Sequence, residues 1–320
     1  MRAGLEGSGP RRDIDTRISV DIAHLQSLRL QARSLNFLPR QPPRSVLSGR
    51  HGSRLRGRGL NFEELRRYLP GDDVRSIDWK VTARTGEPHI RVFTEERDRP
   101  ALLVVDQRMA MFFGSRLNMK SVTAAEAAAL AAFRILDQND RVGGVVFGDE
   151  TIAEIRPERS TRAVDRLLSA IAEANSLLRA DAPALEPASL GSRLEAVARI
   201  AKRDHLVMVV SDFDGLDAHT EMLLGGLSSH NDVVVCLVTD PSAEQVPEDL
   251  QLIISDGVLQ AEIDARSGPV RSAVAEFASG RIAKVIQWTR RFGISVMPLS
   301  AGEATLPQMR RQLGLSAGRR

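Results

Sequence analysis

Through the C-terminal two-thirds of the chain, apolar residues fall in short unbroken runs. Ala101–Asp106, Val142–Phe147, Leu206–Ser211, Val233–Val238 and Ile294–Leu299 are each six residues long and end at polar or turn-forming positions. Runs of this length without alternation are the pattern of strands buried on both faces. Ile152–Ile155, Leu252–Ile254 and Val258–Ile263 read as shorter strands. Between them the apolar period lengthens towards 3.6, which predicts helices over Lys120–Leu136, Arg162–Ala174, Leu194–Lys202, Ala218–Leu227 and Val270–Arg291. Strands alternating with helices predict a doubly wound, mostly parallel α/β sheet covered on both faces.

The N-terminal third is patterned differently. Ile22, Leu25, Leu28, Leu30 and Leu35 suggest one helical face, whereas Met1–Asp15 reads as disordered and the Pro- and Arg-containing stretch Phe37–His51 as extended. Asn61 followed three residues later by Glu64 resembles a capping box. With Phe62, Leu65 and Leu69 as its stripe, it predicts a short helix stopped at Pro70-Gly71. His89–Thr94 alternates like a strand. The expected organisation is a basic, partly disordered or extended arm over 1–58, a segment over 59–100 that packs on the following domain, and an α/β domain over 101–320.

Composition narrows the classes. The 320 residues are 42% hydrophobic but only 4% aromatic, so Ala, Leu and Val must do the packing. The one cysteine, Cys236, lies in an apolar strand and reads as a small buried hydrophobe; it excludes an intrachain disulfide. No apolar run approaches the roughly 18 residues of a membrane span, and Glu126 and Arg134 interrupt the most apolar helix. The polar N-terminus has no signal-peptide core, so a cytoplasmic address is expected. Charge is lopsided. Residues 1–60 hold twelve Arg against four acids, and Arg29–Arg58 contains eight Arg and no acid.

An enzyme needs a constellation, and none is visible. The six histidines (His24, His51, His89, His205, His219, His230) are scattered without metal-ligand spacing. Neither a Gly-x-Ser-x-Gly elbow nor a phosphate-binding Gly-Lys-Ser/Thr loop occurs, and Gly57-Arg58-Gly59 lacks the third glycine of a dinucleotide loop. What stands out is that three apolar strands end in an acid: Asp106, Asp212 and Asp240. The carboxyl ends of parallel strands are where such sheets bind ligands, but Asp also caps helices and forms turns.

The segment Glu64-Leu65-Arg66-Arg67-Tyr68-Leu69-Pro70-Gly71-Asp72-Asp73-Val74-Arg75-Ser76-Ile77-Asp78-Trp79-Lys80, followed by Ala83-Arg84, resembles the signature of the bacterial domain of unknown function 58 family. Val105-Asp106, Asp140-Arg141-Val142-Gly143, Phe147-Gly148, Val210-Ser211-Asp212-Phe213, Thr239-Asp240-Pro241 and Phe292-Gly293-Ile294 extend the likeness over about Gly49 to Leu313. The resemblance implies a von Willebrand factor A-like fold. It also implies partnership with MoxR-type AAA+ ATPases in the assembly, maturation or metallation of other proteins.

A-type domains commonly hold a divalent cation at the sheet top, in a metal-ion-dependent adhesion site. The pattern is Asp-x-Ser-x-Ser after the first strand, a Thr or Ser from a second loop and an Asp from a third. Here Asp106 and Asp212 match the two acids, while Arg108 and Ala110 stand at the two Ser positions. Ser189 or Ser192 would be the middle ligand. The site is therefore expected to be degenerate and without a cofactor, Mg²⁺ being the ion it would take through Asp106 and Asp212. Arg108 has three possible places: paired with Asp106 or Asp212 as a surrogate cation, turned outward to receive a partner's carboxylate, or solvated in a loop.

In the signature, Arg66, Tyr68, Asp72, Asp73, Arg75, Asp78, Trp79 and Lys80 read either as a salt-bridged latch anchored by Trp79 or as a partner surface. The function expected from all this is a non-enzymatic protein-binding adaptor working with a MoxR-type ATPase on a client that the sequence leaves unnamed. The alternative is nucleic-acid or anionic-surface binding through the Arg-rich arm.

Overall fold

A computed structural model describes residues 15–35, 60–95, 100–183, 188–243, 251–255, 260–264, 280–288 and 291–313. The chain forms two compact units, Leu38–Asp98 and the remainder. The expected disorder of Met1–Asp15, the extended Phe37–His51 and the first half of the Val270–Arg291 helix fall largely or wholly outside the described residues.

The larger unit begins with two short helices, α1 (Ile22–Ser27) and α2 (Arg29–Ala32). The smaller unit holds β1 (Leu60–Arg67), α3 (Trp79–Thr85) and β2 (His89–Glu95). The larger unit resumes with β3 (Ala101–Asp106), α4 (Lys120–Asp137), β4 (Val142–Phe147), β5 (Ile152–Glu158), α5 (Thr161–Ser176), α6 (Leu190–Ile200), β6 (Leu206–Ser211), α7 (Ala218–His230) and β7 (Asp232–Thr239). There follow a β8 (Gln251–Ser255) and β9 (Gln260–Asp264) hairpin, a helix α8 at 280–288, β10 (Ser295–Ser300) and α9 (Thr305–Gln312).

Six strands form one sheet in the order β10-β7-β6-β3-β4-β5, parallel except for the antiparallel edge strand β5. Alternation along each strand divides the core in two. Leu103, Val105, Val146, Met208, Val210, Cys236 and Leu299 face a layer made by α1, α2, α4, α5 and α9. Leu102, Val104, Val145, Phe147, Val207, Val209 and Val235 face α6, α7 and α8, where Trp288 is the bulkiest buried side chain. This is the doubly wound arrangement of a von Willebrand factor A-like fold.

The scarcity of aromatics is answered by α4. Ala124, Ala125, Ala127, Ala128, Ala129, Ala131 and Ala132 are all fully buried, so neighbours approach this helix closely on nearly every side. The same economy operates at Gly144. A Cβ there would lie 2.6 Å from both the Leu103 carbonyl oxygen and Leu167 Cδ1, so only hydrogen lets α5 settle against β4.

Three expectations need correction. Residues 60–67 are a strand, β1, paired antiparallel with β2 from Leu60↔Glu95 to Arg67↔His89, and not a capped helix. A two-turn helix is marginal by itself, and a cross-strand ladder satisfies the same backbone groups more fully. Second, the supposed arm does not run unbroken from residue 1 to 58. Val20, Leu25, Leu28, Ala32 and Leu35 are buried in the α/β core, with Asp21 capping α1 by accepting from His24 N–H. Leu30, placed on the same predicted face, is 73% exposed because the chain turns between α1 and α2. Third, helices α3 and α9 were not expected at all; α9 buries Thr305 and Gln308 beside Met309 and packs Leu306 and Leu313 against the same core.

Candidate functional site

Strands β3 and β6 are neighbours whose following helices lie on opposite faces, α4 on one and α7 on the other. Between their carboxyl ends is the switch point where ligands bind in such sheets. Asp106 ends β3 and Asp212 follows β6, so both sequence-predicted acids reach this place. Both are buried.

Neither carboxylate waits for a cation from outside. Arg108 folds back on Asp106: Nε donates to Oδ1 at 3.0 Å, Nη2 to Oδ2 at 2.8 Å, and the Arg108 backbone N–H to Oδ1 at 3.0 Å. The rest of the guanidinium donates to the carbonyls of Ala188 (2.8 Å) and Asp214 (3.2 Å). Ser211 Oγ donates to Asp106 Oδ2 at 2.6 Å. Of the three places open to Arg108, the structure selects the pair with Asp106; the side chain is neither outward-facing nor solvated.

Asp212 has its own cations. Lys120, the first residue of α4, places Nζ 2.5 Å from Oδ2. Arg281 lies 3.6 Å from the same oxygen and 2.9 Å from Asp214 Oδ1. The Asp214 N–H donates to Asp212 Oδ1 at 2.9 Å. Burial alone would raise the Asp212 pKa, but Lys120 and Arg281 outweigh it and hold the carboxyl below its ordinary value of 3.8. The turn is tight: Phe213 takes a left-handed φ of 57°, with its ring set edge-on to Trp288 at 6.0 Å. For a non-glycine residue that conformation costs about 1–2 kcal/mol, and the buried aromatic contact opposes it.

The third acid is a loop organiser. Asp240 accepts from the N–H and hydroxyl of Ser115 (2.8 and 2.6 Å) and of Ser242 (2.9 and 2.5 Å). Ala110 sits in a single 3-10 turn, Met109–Met111. Ser189 is the N-cap of α6, its hydroxyl accepting from Ser192 N–H, and Ser192 Oγ donates back to the Ser189 carbonyl. Both serine hydroxyls are engaged in this cap.

This donor set does not fit a hard divalent cation. Such an ion needs about six oxygens in open array. Here the carboxylate oxygens of Asp106 and Asp212 face two guanidinium groups, an ammonium, a hydroxyl and two backbone N–H groups of the same chain. Two of the expected hydroxyls are an arginine and an alanine.

Sequence reasoning missed Lys120, Arg281, Ser211 and a buried amide relay beside them. Asn175 Oδ1 accepts from Ser19 Oγ (3.0 Å) and Val20 N–H (2.8 Å), and its Nδ2 donates to Gln107 Oε1 (2.8 Å). Gln107 in turn donates to the Ser121 carbonyl. The N-terminal segment is thereby bonded to the residue between Asp106 and Arg108. One signal was available: a lysine opening a helix opposes the helix dipole, so Lys120 needed a reason to be there, and Asp212 is that reason.

In the smaller unit the signature acids shape turns. Asp72 takes a two-pronged bond from Arg66 (2.8 and 2.8 Å) and one from Leu69 N–H; Asp73 caps a 3-10 turn at Val74–Ser76; Asp78 caps α3 through Lys80 and Val81. Gly86, at φ 75°, closes α3. Tyr68 is half-buried, and its N–H donates to the Pro88 carbonyl. Trp79, read either as the anchor of a latch or as part of a partner surface, stands 68% exposed.

Fold and switch point define an A-type α/β protein whose sheet top is neutralised by its own side chains. The chain belongs to the family described as "Protein of unknown function DUF58", matched over residues 64–280. It is similar to uncharacterized proteins Mb1516 of Mycobacterium bovis and MT1527 and Rv1480 of Mycobacterium tuberculosis. Each is 30% identical over 239 residues, covering 75% of this chain and 71% of the relative. Among the described residues no helix is long and apolar enough to cross a membrane.

Proposed function

We propose that this chain is a non-enzymatic, cytoplasmic protein-binding adaptor whose A-type unit works without a divalent cation. Its partner on this reading is the MoxR-type AAA+ ATPase implied by the family resemblance, and its task the assembly or maturation of other proteins. One observation carries the reading: Asp106 and Asp212 are each matched by basic groups of the chain itself. Groups held in buried ion pairs are poor proton donors or acceptors for catalysis, and a carboxylate already saturated has little to gain from Mg²⁺.

The alternative, an anionic polymer on the Arg-rich arm, has weaker support. Of its eight arginines, Arg29 lies over the Phe133 ring at 5.9 Å and Arg33 pairs with Asp137 at 3.6 Å. The remaining ones lie outside the described residues.

The test is binding of the purified nucleotide-free ATPase to the immobilised chain, with and without a chelator. Equal affinity in both conditions is expected. Binding that vanishes with chelation and returns with Mg²⁺, in an Asp212-dependent way, would overturn the metal-free reading; no binding in either would overturn the partnership.

A further inference from the structure

We infer that the 68–88 connection of the smaller unit receives an acidic, apolar-tipped segment of a partner protein. The inference rests on the adaptor reading and deepens it by assigning the surface and the chemistry of what it holds.

The apolar part is the first observation. Leu69 and Val74 are each 59% exposed and Trp79 68%, all within one connection between β1 and β2. Single exposed apolar residues are ordinary. Three large ones within eleven positions, one of them tryptophan, are not, and tryptophan is the residue type most enriched where binding energy concentrates.

Charge is the second observation. The acids of this connection are already used: Asp72 on Arg66, Asp73 and Asp78 on backbone caps, and Glu87 on Arg67 at 2.8 Å. Arg75, Lys80 and Arg84 are exposed and make no side-chain ion pair among the described residues. Lys80 and Arg84 are four apart on α3 and so share a face. The connection thus exposes apolar groups at Leu69, Val74 and Trp79 and cations at Arg75, Lys80 and Arg84, with Asp72 and Glu87 paired to Arg66 and Arg67 and Asp73 the exposed acid among them.

That combination selects the occupant. Carboxylates would meet Arg75, Lys80 and Arg84, while a Leu, Phe or Met would cover the indole. The chain's own segment from Arg29 to Arg58 carries eight Arg and no acid, which is not the chemistry that such cations select. A nucleic acid suits the surface less well, because Leu69 and Val74 offer no stacking plane and Asp73 is exposed among the cations. The connection is also braced by the Asp72–Arg66 fork, two capped turns and the Gly86 stop, so little ordering is left for binding to supply.

The experiment places a photo-crosslinking p-benzoylphenylalanine at Ala83, an exposed residue one turn from Trp79 on α3, in the full-length chain expressed in its host. The crosslinked partner segment is sequenced by mass spectrometry. An Asp/Glu-rich segment bearing Leu, Phe or Met is expected. Its yield should fall at least about tenfold with Trp79→Ala and with Arg75→Glu/Arg84→Glu, while circular dichroism and melting of the chain stay unchanged. Crosslinks to nucleic acid, to a second copy or to a basic segment would overturn the inference, as would no crosslink or a yield indifferent to these substitutions. If the segment belongs to a protein other than the ATPase, the surface stands and the ATPase partnership is judged by the binding test alone. If the ATPase binds but the crosslink is absent or indifferent to Trp79→Ala, the surface falls and the adaptor reading stands.

Discussion

Replacing Arg108 with Met removes a guanidinium that is almost wholly enclosed and makes charge-assisted bonds to Asp106 at 2.8–3.2 Å. The methionine fills most of the stem volume, so the loss is chiefly electrostatic. Asp106, with no exposed surface, would keep only the Ser211 hydroxyl and the residue-108 N–H, two donors for a full negative charge. Breaking a buried pair from one side costs about 3–5 kcal/mol, because the remaining charge is stranded. The carbonyls of Ala188 and Asp214 each lose a donor as well, but they lie at the partly exposed rim where water replaces it.

For a unit of this size about 1 kcal/mol moves Tm by roughly 2–4 °C, so thermal denaturation of Arg108→Met should drop by about 6–20 °C. Asp106→Asn/Arg108→Met removes both charges and should recover most of that loss, since a buried pair exchanged for neutral groups is often near break-even. A single-variant loss under about 1 kcal/mol, the worth of an exposed pair, would refute the account. So would a double variant no more stable than the single one, since the stranded carboxylate would then not be the source of the damage.

Further outcomes follow from the same geometry. Asp212 titrates below 3.8 in the fold, so its stabilising share is complete above that value and is lost as pH falls through the folded pKa; Lys120→Met should move acid unfolding to higher pH, read by fluorescence of Trp288. His24 behaves oppositely. The hydrogen bond with Glu126 at 2.8 Å raises its pKa above 6.5, so that stability is present below 6.5 and lost as pH rises through the folded value. His24→Gln should flatten the corresponding slope in melts from about pH 5 to about pH 9. Gly144→Ala forces a Cβ to within 2.6 Å of the Leu103 carbonyl oxygen and should destabilise the α/β unit by about 1–3 kcal/mol in urea titrations. Adding Mg²⁺ should leave the Tm of the natural chain where it was, whereas an Asp212-dependent rise would show a cation site that the donor set argues against.

The sheet was legible because each central strand is continuously apolar and too short for a buried helix; Ala101–Asp106 and Val142–Phe147 have the bounds that their runs predict. The helices covering it were legible in place and less so at their ends, α6 beginning at Leu190 where Ser189 caps it, ahead of the first strongly periodic residue Leu194. Residues 60–67 misled because a capping box is a local signal, whereas the strand partner that overrides it lies more than twenty positions on. The site was half legible. Asp106 and Asp212 declared themselves by ending strands, and Arg108 by standing where a hydroxyl belongs. Lys120 and Arg281 reach Asp212 from 92 and 69 positions away, and no pattern along a chain carries that proximity.

The two candidate binding regions can be ranked by what a partner would have to undo. An association with a micromolar Kd has about 8 kcal/mol to its name. To engage Asp106 or Asp212 directly, a partner must first part Arg108 from one or Lys120 and Arg281 from the other. Each opening forfeits about 3–5 kcal/mol unless every bond is replaced in kind. A partner's carboxylate offers no such replacement, because it competes with Asp106 and Asp212 for the same cations. Trp79, Leu69 and Val74 are already bare, and the cations beside them carry no internal partner among the described residues. Burying an indole there gains free energy from the first contact, at roughly 25 cal/mol for each Å² of apolar surface removed from water. On the proposed adaptor reading, the sheet top would be the fixed part, held by its own ion pairs and by the Asn175–Gln107 relay, and recognition would fall to the signature connection.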